Sequence, residues 1–139
     1  MLSARGSVDP AHPALEEGAL VLTTDAAAAQ LRAALPAAAE VVSLGAAVDP
    51  RAAFDLLRDR GFERILSEGG PHVLGAQLAA GLVDELFLTV SPLLVGRPAG
   101  DLRLSLDDGA DLLPDGPLAA RLIGVRRDGA HLFLRYALP

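Results

Sequence analysis

A glycine pair between an apolar run and a helical pattern is the segment of this sequence best suited to binding a ligand. Arg64–Ser67 has the composition of a short buried strand, and Gly69-Gly70-Pro71 leads into a helical pattern from His72 to about Leu82. Glycines at such a turn let the backbone approach a ligand closely, and the helix behind them offers unpaired N–H groups and the positive end of its dipole. The pattern fits a phosphate-binding turn at the carboxyl end of a strand, and it fits a purely structural turn equally well.

Other kinds of chemistry are restricted by what the sequence lacks. The chain contains no cysteine and its basic residues are all arginine, which excludes thiolate and lysine Schiff-base chemistry. The glycine turn matches neither the Gly-x-Gly-x-x-Gly fingerprint nor a P-loop. The three histidines, at 12, 72 and 131, do not indicate a structural zinc site. The aspartates at 107, 108, 111 and 115 lack the spacing of a calcium loop, so we interpret them as a solvated acidic loop.

The composition indicates one globular domain. With 139 residues, 51% of them hydrophobic, the chain is long enough to bury a single core. Its net charge of −6 argues against broad binding to nucleic acids or anionic membranes, since both require a basic surface. No apolar stretch reaches the roughly 20 residues that span a bilayer, and the first residues lack the pattern of a signal peptide. We therefore expect a single cytoplasmic domain over residues 1–139.

Alternating strand and helix patterns place the glycine turn in an α/β fold. We read residues 1–18 as an entering loop, and Asp25 as the N-cap of the first helix. Strand patterns at 19–24, 40–44, 64–67 and 85–94 alternate with helix patterns at 26–35, 50–60 and 72–82. Asp128-Gly129, between strand patterns at 118–126 and 131–137, predicts a hairpin. This order predicts a mostly parallel sheet flanked by helices, with a C-terminal antiparallel hairpin.

Several of these segments together resemble a known family. Ile65–Pro71, Leu78–Leu86, Leu88–Pro92, Leu94–Gly96 and Leu132–Tyr136 are similar, at fixed spacing, to the reductase domain of riboflavin biosynthesis, the RibD C-terminal type. The resemblance implies a dihydrofolate-reductase-like fold and an NADPH-dependent reductase that transfers hydride to a pyrimidine- or pterin-type small molecule. The expected activity is like that of a 5-amino-6-(5-phosphoribosylamino)uracil reductase. The resemblance also implies a homodimer, built on the apolar C-terminal strands.

The resemblance assigns roles to individual residues. Glu68 matches an acidic position that contacts the substrate, although a local cap or ion pair fits this residue as well. His72 stands where the family usually has Thr or Ser, which changes one contact to phosphate. Arg5, together with Ser3 or Ser7, fits the cofactor's ribose phosphate, and a disordered terminal arginine fits equally. The predicted cofactor-binding residues are Ser3, Arg5, Gly69, Gly70, Pro71, His72, Val73, Leu74, Gly75 and Ala76.

One part of the family's pattern is not found in this sequence. The family domain begins with a strand, a helix and a further strand that ends in a glycine-rich cofactor turn, and these supply much of the substrate pocket. We therefore expect little reductase activity from this 139-residue chain by itself. The alternative function is that of a non-catalytic remnant, which acts only in assembly or cofactor binding. Asp84-Glu85 is a mark of the family that we interpret as a structural turn or cap.

Overall fold

A computed structural model describes residues 1–112 and 117–139, in two units, Met1–Ile65 and Leu66–Pro139. Each unit combines one or more helices with a three-stranded sheet, which confirms the predicted α/β class. Asp115, which we predicted in a solvated acidic loop, lies outside the described residues. Among the helices of the described residues, none has the length and apolar character needed to cross a membrane.

The first unit contains a parallel sheet of three strands in the order β1-β2-β3. The strands are β1 (Leu2–Ser3), β2 (Leu20–Thr23) and β3 (Glu40–Ser43), and the helices are α1 (Pro13–Glu16), α2 (Asp25–Ala34) and α3 (Pro50–Asp59). The apolar run of β2 predicts a strand buried on both faces, and Val21, Leu22 and Thr23 are all buried. Ala27 and Leu31, one turn apart on α2, complete the core with Val21 and Leu15.

Two expectations for the first unit were wrong in detail. Residues 1–18 are not only a loop, because they include β1 and α1. The short α1 is possible because His12 serves as its N-cap, with Nδ1 accepting the Ala14 N–H at 3.2 Å. The N-cap of α2 is Thr24 and not Asp25, since Thr24 keeps extended backbone angles and Asp25 is already the first helical residue. The start of α3 is as predicted, with an Asp49 carboxylate cap and Pro50 at the first position.

The second unit contains one helix and an antiparallel sheet. The elements are α4 (Pro71–Ala79), β4 (Glu85–Val90), β5 (Arg121–Asp128) and β6 (His131–Ala137), with the strand order β4-β6-β5. The predicted hairpin of β5 and β6 is confirmed, with a bulge between Leu122 and Gly124. β4 ends at Val90 and not at Leu94, because Pro92 has no N–H with which to continue a ladder.

The strand predicted over residues 64–67 is not formed. Residues 64–67 lie outside every strand. Leu66 is 76% exposed, although the apolar composition of the segment predicts a buried strand. An apolar segment becomes a strand only where another strand completes its hydrogen-bond ladder. No ladder partner of this segment is present among the described residues.

The two faces of the antiparallel sheet differ in chemistry. Residues that pair across a ladder share a face, so the register assigns each side chain. One face, which we call the apolar face, carries Leu86, Leu88, Val90, Leu122, Val125, Leu132, Leu134 and Tyr136, with Arg127 opposite Leu132. On the other face Arg135 donates to both oxygens of the Glu85 carboxylate, at 2.8 and 2.5 Å, and lies 5.4 Å from the centre of the Phe87 ring. Glu85 thus forms a cross-strand ion pair at the start of β4, where our interpretation of Asp84-Glu85 expected a turn or cap.

The Glu85–Arg135 pair should make the stability of the sheet depend on pH. Hydrogen bonding from Arg135, aided by its charge, lowers the pKa of Glu85. A carboxyl whose pKa is lowered on folding stabilises the protein above its ordinary pKa, and this contribution is lost as the pH falls through the lowered value. We expect Glu85→Gln to reduce the unfolding free energy measurably at about pH 7 and by less at about pH 3. Urea unfolding measures both, with Asp84→Asn as a matched control, and a difference independent of pH would refute the pairing.

Candidate functional site

The start of α4 presents an N-terminus that no side chain caps. Gly70 is the N-cap residue, with φ −69° and ψ 179°, and no side-chain hydrogen bond closes this end of the helix. Pro71 has no N–H, and the Val73 and Leu74 N–H groups both donate to the Gly70 carbonyl, at 2.9 and 3.1 Å. The His72 N–H is therefore the donor of the first turn that an anion would meet, at the positive end of the helix dipole.

The two glycines before α4 differ, because only the first is required by close packing of the chain. A Cβ on Gly69 would lie 2.6 Å from a methyl group of Val73, so glycine at this position allows the chain to pass close to its own helix. A Cβ on Gly70 would meet nothing within 4 Å, and its backbone angles suit any residue. Both glycines are exposed. The space around Gly70 is therefore open to a ligand.

A loop from the acidic segment lies against α4. We call residues 107–110 the aspartate loop. A Cβ on the buried Gly75 would lie only 2.7 Å from the Asp108 carbonyl oxygen and 3.1 Å from that of Asp107. Asp108 also places a carboxylate oxygen 3.4 Å from Nδ1 of His72. Gly75, predicted to bind the cofactor, thus lies beneath this loop, and Asp108 is a neighbour of the site that sequence reasoning missed.

Glu68 lies directly before the glycine pair, in an exposed position. Within the part of the chain that the structure describes, its carboxylate has no hydrogen bond or ion pair. The local cap or ion pair that we considered for this residue is thus not seen there. A free carboxylate beside a turn can accept two N–H donors from a pyrimidine- or pterin-like ring.

Ser3 and Arg5 belong to the first unit, separate in sequence from the α4 residues. Ser3 is half-buried at the end of β1, and its Oγ donates to the Ser7 carbonyl at 3.4 Å. Both serines line a cavity of about 250 Å³ that Asp9 and His12 also line. Arg5 is exposed in the turn after β1 and is not a lining residue.

The predicted residues thus fall into two groups. Glu68 and the cofactor-binding residues from Gly69 to Ala76 are continuous at the start of α4, while Ser3 and Arg5 stay in the other unit. Val73 and Leu74 are half-buried, whereas His72 and Ala76 are exposed. Among residues 1–112 and 117–139, no group of acidic and histidine side chains is arranged to hold a metal ion.

Comparison with known proteins agrees with the resemblance. The sequence matches, over residues 1–133, the family model described as the RibD C-terminal domain. A comparison with curated proteins finds no match.

Solved structures share the fold. A pyrimidine reductase-like protein from Corynebacterium diphtheriae superposes with a TM-score of 0.76 at 25% identity, over 99% of this chain and 59% of that protein. RibD from Acinetobacter baumannii gives a TM-score of 0.73 at 20% identity, over 99% of this chain and 36% of RibD. A deaminase/5-amino-6-(5-phosphoribosylamino)uracil reductase from Thermotoga maritima gives 0.70 at 19% identity, with the same coverage. These similarities confirm the dihydrofolate-reductase-like fold. The chain spans less than two thirds of the length of each of these proteins.

Gly75 offers a direct test of the packing between α4 and the aspartate loop. We expect Gly75→Ala to lower the unfolding free energy by about 1–3 kcal/mol, because the added methyl group meets backbone oxygens that cannot rotate away. Gly70→Ala is the control, since its methyl group meets open space. Thermal and urea unfolding measure both variants. Equal stability of the two would show that the loop does not lie where we describe it.

Proposed function

The chain belongs to the RibD C-terminal domain family, and from this membership we propose that it is an NADPH-dependent reductase of the riboflavin-biosynthesis type. The observation that carries the proposal is the family match over residues 1–133. The substrate that we propose is a pyrimidine with a ribosylamino group, of the kind named for the Thermotoga maritima protein. The chain covers only part of its structural relatives, so this activity is proposed for the protein to which the chain contributes.

The start of α4 fits the pyrophosphate of a dinucleotide. The open side of Gly70 leaves room for a phosphate oxygen, and the His72 N–H and the helix dipole attract its charge. The imidazole of His72 is exposed and able to donate a further hydrogen bond. We therefore propose that residues from Gly69 to Ala76 form the cofactor-binding segment. Ser3 and Arg5 remain proposed contacts to the ribose phosphate.

The proposed role of Glu68 is to orient the substrate. When bound, NADPH supplies a hydride from its nicotinamide ring, and the residues of the chain have to place the acceptor carbon within reach. A carboxylate that accepts two N–H groups fixes both the position and the rotation of a planar ring. Hydride transfer depends steeply on such placement, since a misplacement of about 1 Å can cost roughly 100-fold in rate.

The proposal is tested by NADPH oxidation with a ribosylamino-pyrimidine substrate, for this chain and for a version extended upstream. We expect turnover in the extended protein, little in the 139-residue chain alone, and a loss of about ten- to hundredfold on Glu68→Gln. Glu63→Gln, at an exposed glutamate five positions before Glu68, is the matched control. Binding of NADPH without turnover in either length would favour the non-catalytic alternative. Full turnover that Glu68→Gln leaves unchanged would remove Glu68 from the site.

We further propose that two copies associate through the apolar face of the antiparallel sheet. Val90, Leu122, Val125 and Leu132 on this face remain between 38% and 54% exposed. Uncovered apolar surface on a sheet favours association, because burying it removes that surface from water.

Sedimentation velocity over a wide concentration range tests the dimer. We expect a dimer at micromolar concentration that dissociates on Val125→Lys, since a lysine at this exposed position of the apolar face places a charge in the interface. Thr89→Lys adds the same charge to the opposite face and should leave the dimer intact. A monomer throughout, or equal dissociation by both variants, would contradict the proposal.

A further inference from the structure

The aspartate loop contacts the first two turns of α4 at two positions on that helix. The Asp107 and Asp108 carbonyls approach Gly75 so closely that no side chain fits between them. Nearer the N-terminus, the Asp108 carboxylate lies 3.4 Å from Nδ1 of His72, and a Cβ on Gly109 would lie 3.0 Å from the same atom. Gly109 has a φ of +82°, which lets the loop turn at this point. The loop thus brings a carboxylate to the side chain of His72, in the first turn of α4.

The charge of this carboxylate opposes the proposed ligand. The N-terminus of a helix attracts anions, and a carboxylate near it satisfies part of that attraction. A dinucleotide phosphate would compete with Asp108 for the same imidazole and would be repelled by the carboxylate. The His72 and Asp108 side chains are 68% and 36% exposed, so their interaction is screened by water and reversible.

We propose that the aspartate loop is an autoinhibitory contact, in which Asp108 holds His72 until the phosphate of an arriving dinucleotide displaces it. This inference rests on the proposed binding of NADPH at the start of α4. The loop would lower the affinity for NADPH and favour ligands with enough phosphate charge to compete. The contact at Gly75 anchors the loop to the helix when the carboxylate is displaced, so that the contact re-forms on release of the ligand.

Two neighbouring aspartates provide a matched pair of variants. Asp108→Asn removes the charge beside His72, and Asp107→Asn removes an equal charge from the same loop. In the ligand-free protein we expect Asp108→Asn to shift the NMR resonances of the His72 imidazole, and Asp107→Asn to leave them close to wild type. By NADPH fluorescence titration, Asp108→Asn should bind about two- to fivefold more tightly than Asp107→Asn. In a His72→Asn background the further change Asp108→Asn should have a smaller effect on affinity, since only the direct repulsion between carboxylate and phosphate remains to be relieved.

The outcomes separate this inference from the function on which it rests. Equal NADPH affinities of the two aspartate variants would overturn the autoinhibitory contact and leave the proposed function standing. Unchanged His72 imidazole resonances in Asp108→Asn would also overturn it, since the carboxylate would then not lie beside His72. No binding of NADPH by wild type or any variant would instead overturn the proposed function, and the inference with it.

Discussion

The His72 N–H at the start of α4 needs a partner from outside the helix. Gly70 has no side chain with which to cap it, and Pro71 contributes no N–H, so the positive end of the helix faces open space beside His72. Two glycines shape the surroundings of this helix start. Gly69 lets the chain pass Val73, and Gly75 lets the Asp108 carbonyl reach the helix. An anion at this end, whether a ligand phosphate or the Asp108 carboxylate, satisfies the helix dipole.

A second constraint is the apolar surface that the units leave uncovered. Leu66 is mostly exposed in a segment whose composition suits a buried strand, and the apolar face of the antiparallel sheet is only partly covered. Burying such surface stabilises a fold, so each of these regions favours contact with further polypeptide. This view is consistent with the coverage of the structural relatives, of which this chain matches 59% or less. The open start of α4 and the uncovered apolar surface are thus both regions where the chain favours contact with a further molecule.

Sequence patterns predicted the elements with strong local signals and missed those that depend on distant partners. α3 was predicted from Asp49 and Pro50, and the terminal hairpin from Asp128-Gly129, because caps and turns are encoded within a few residues. The strand at 64–67 was predicted wrongly, since its apolar run says nothing of whether a neighbouring strand is present. Asp108 was missed because it lies 36 positions after His72, and only the close approach allowed by Gly75 brings them together.

Hydrogen exchange at the start of α4, with and without NADPH, tests the central claim most directly. The amides of Gly70 and of residues 72–76 respond to a bound pyrophosphate whether or not turnover occurs, and the His72 amide is the donor expected to bind it. We predict slower exchange of these amides at saturating NADPH, strongest at His72. Unchanged exchange throughout this segment at saturating NADPH would contradict the account.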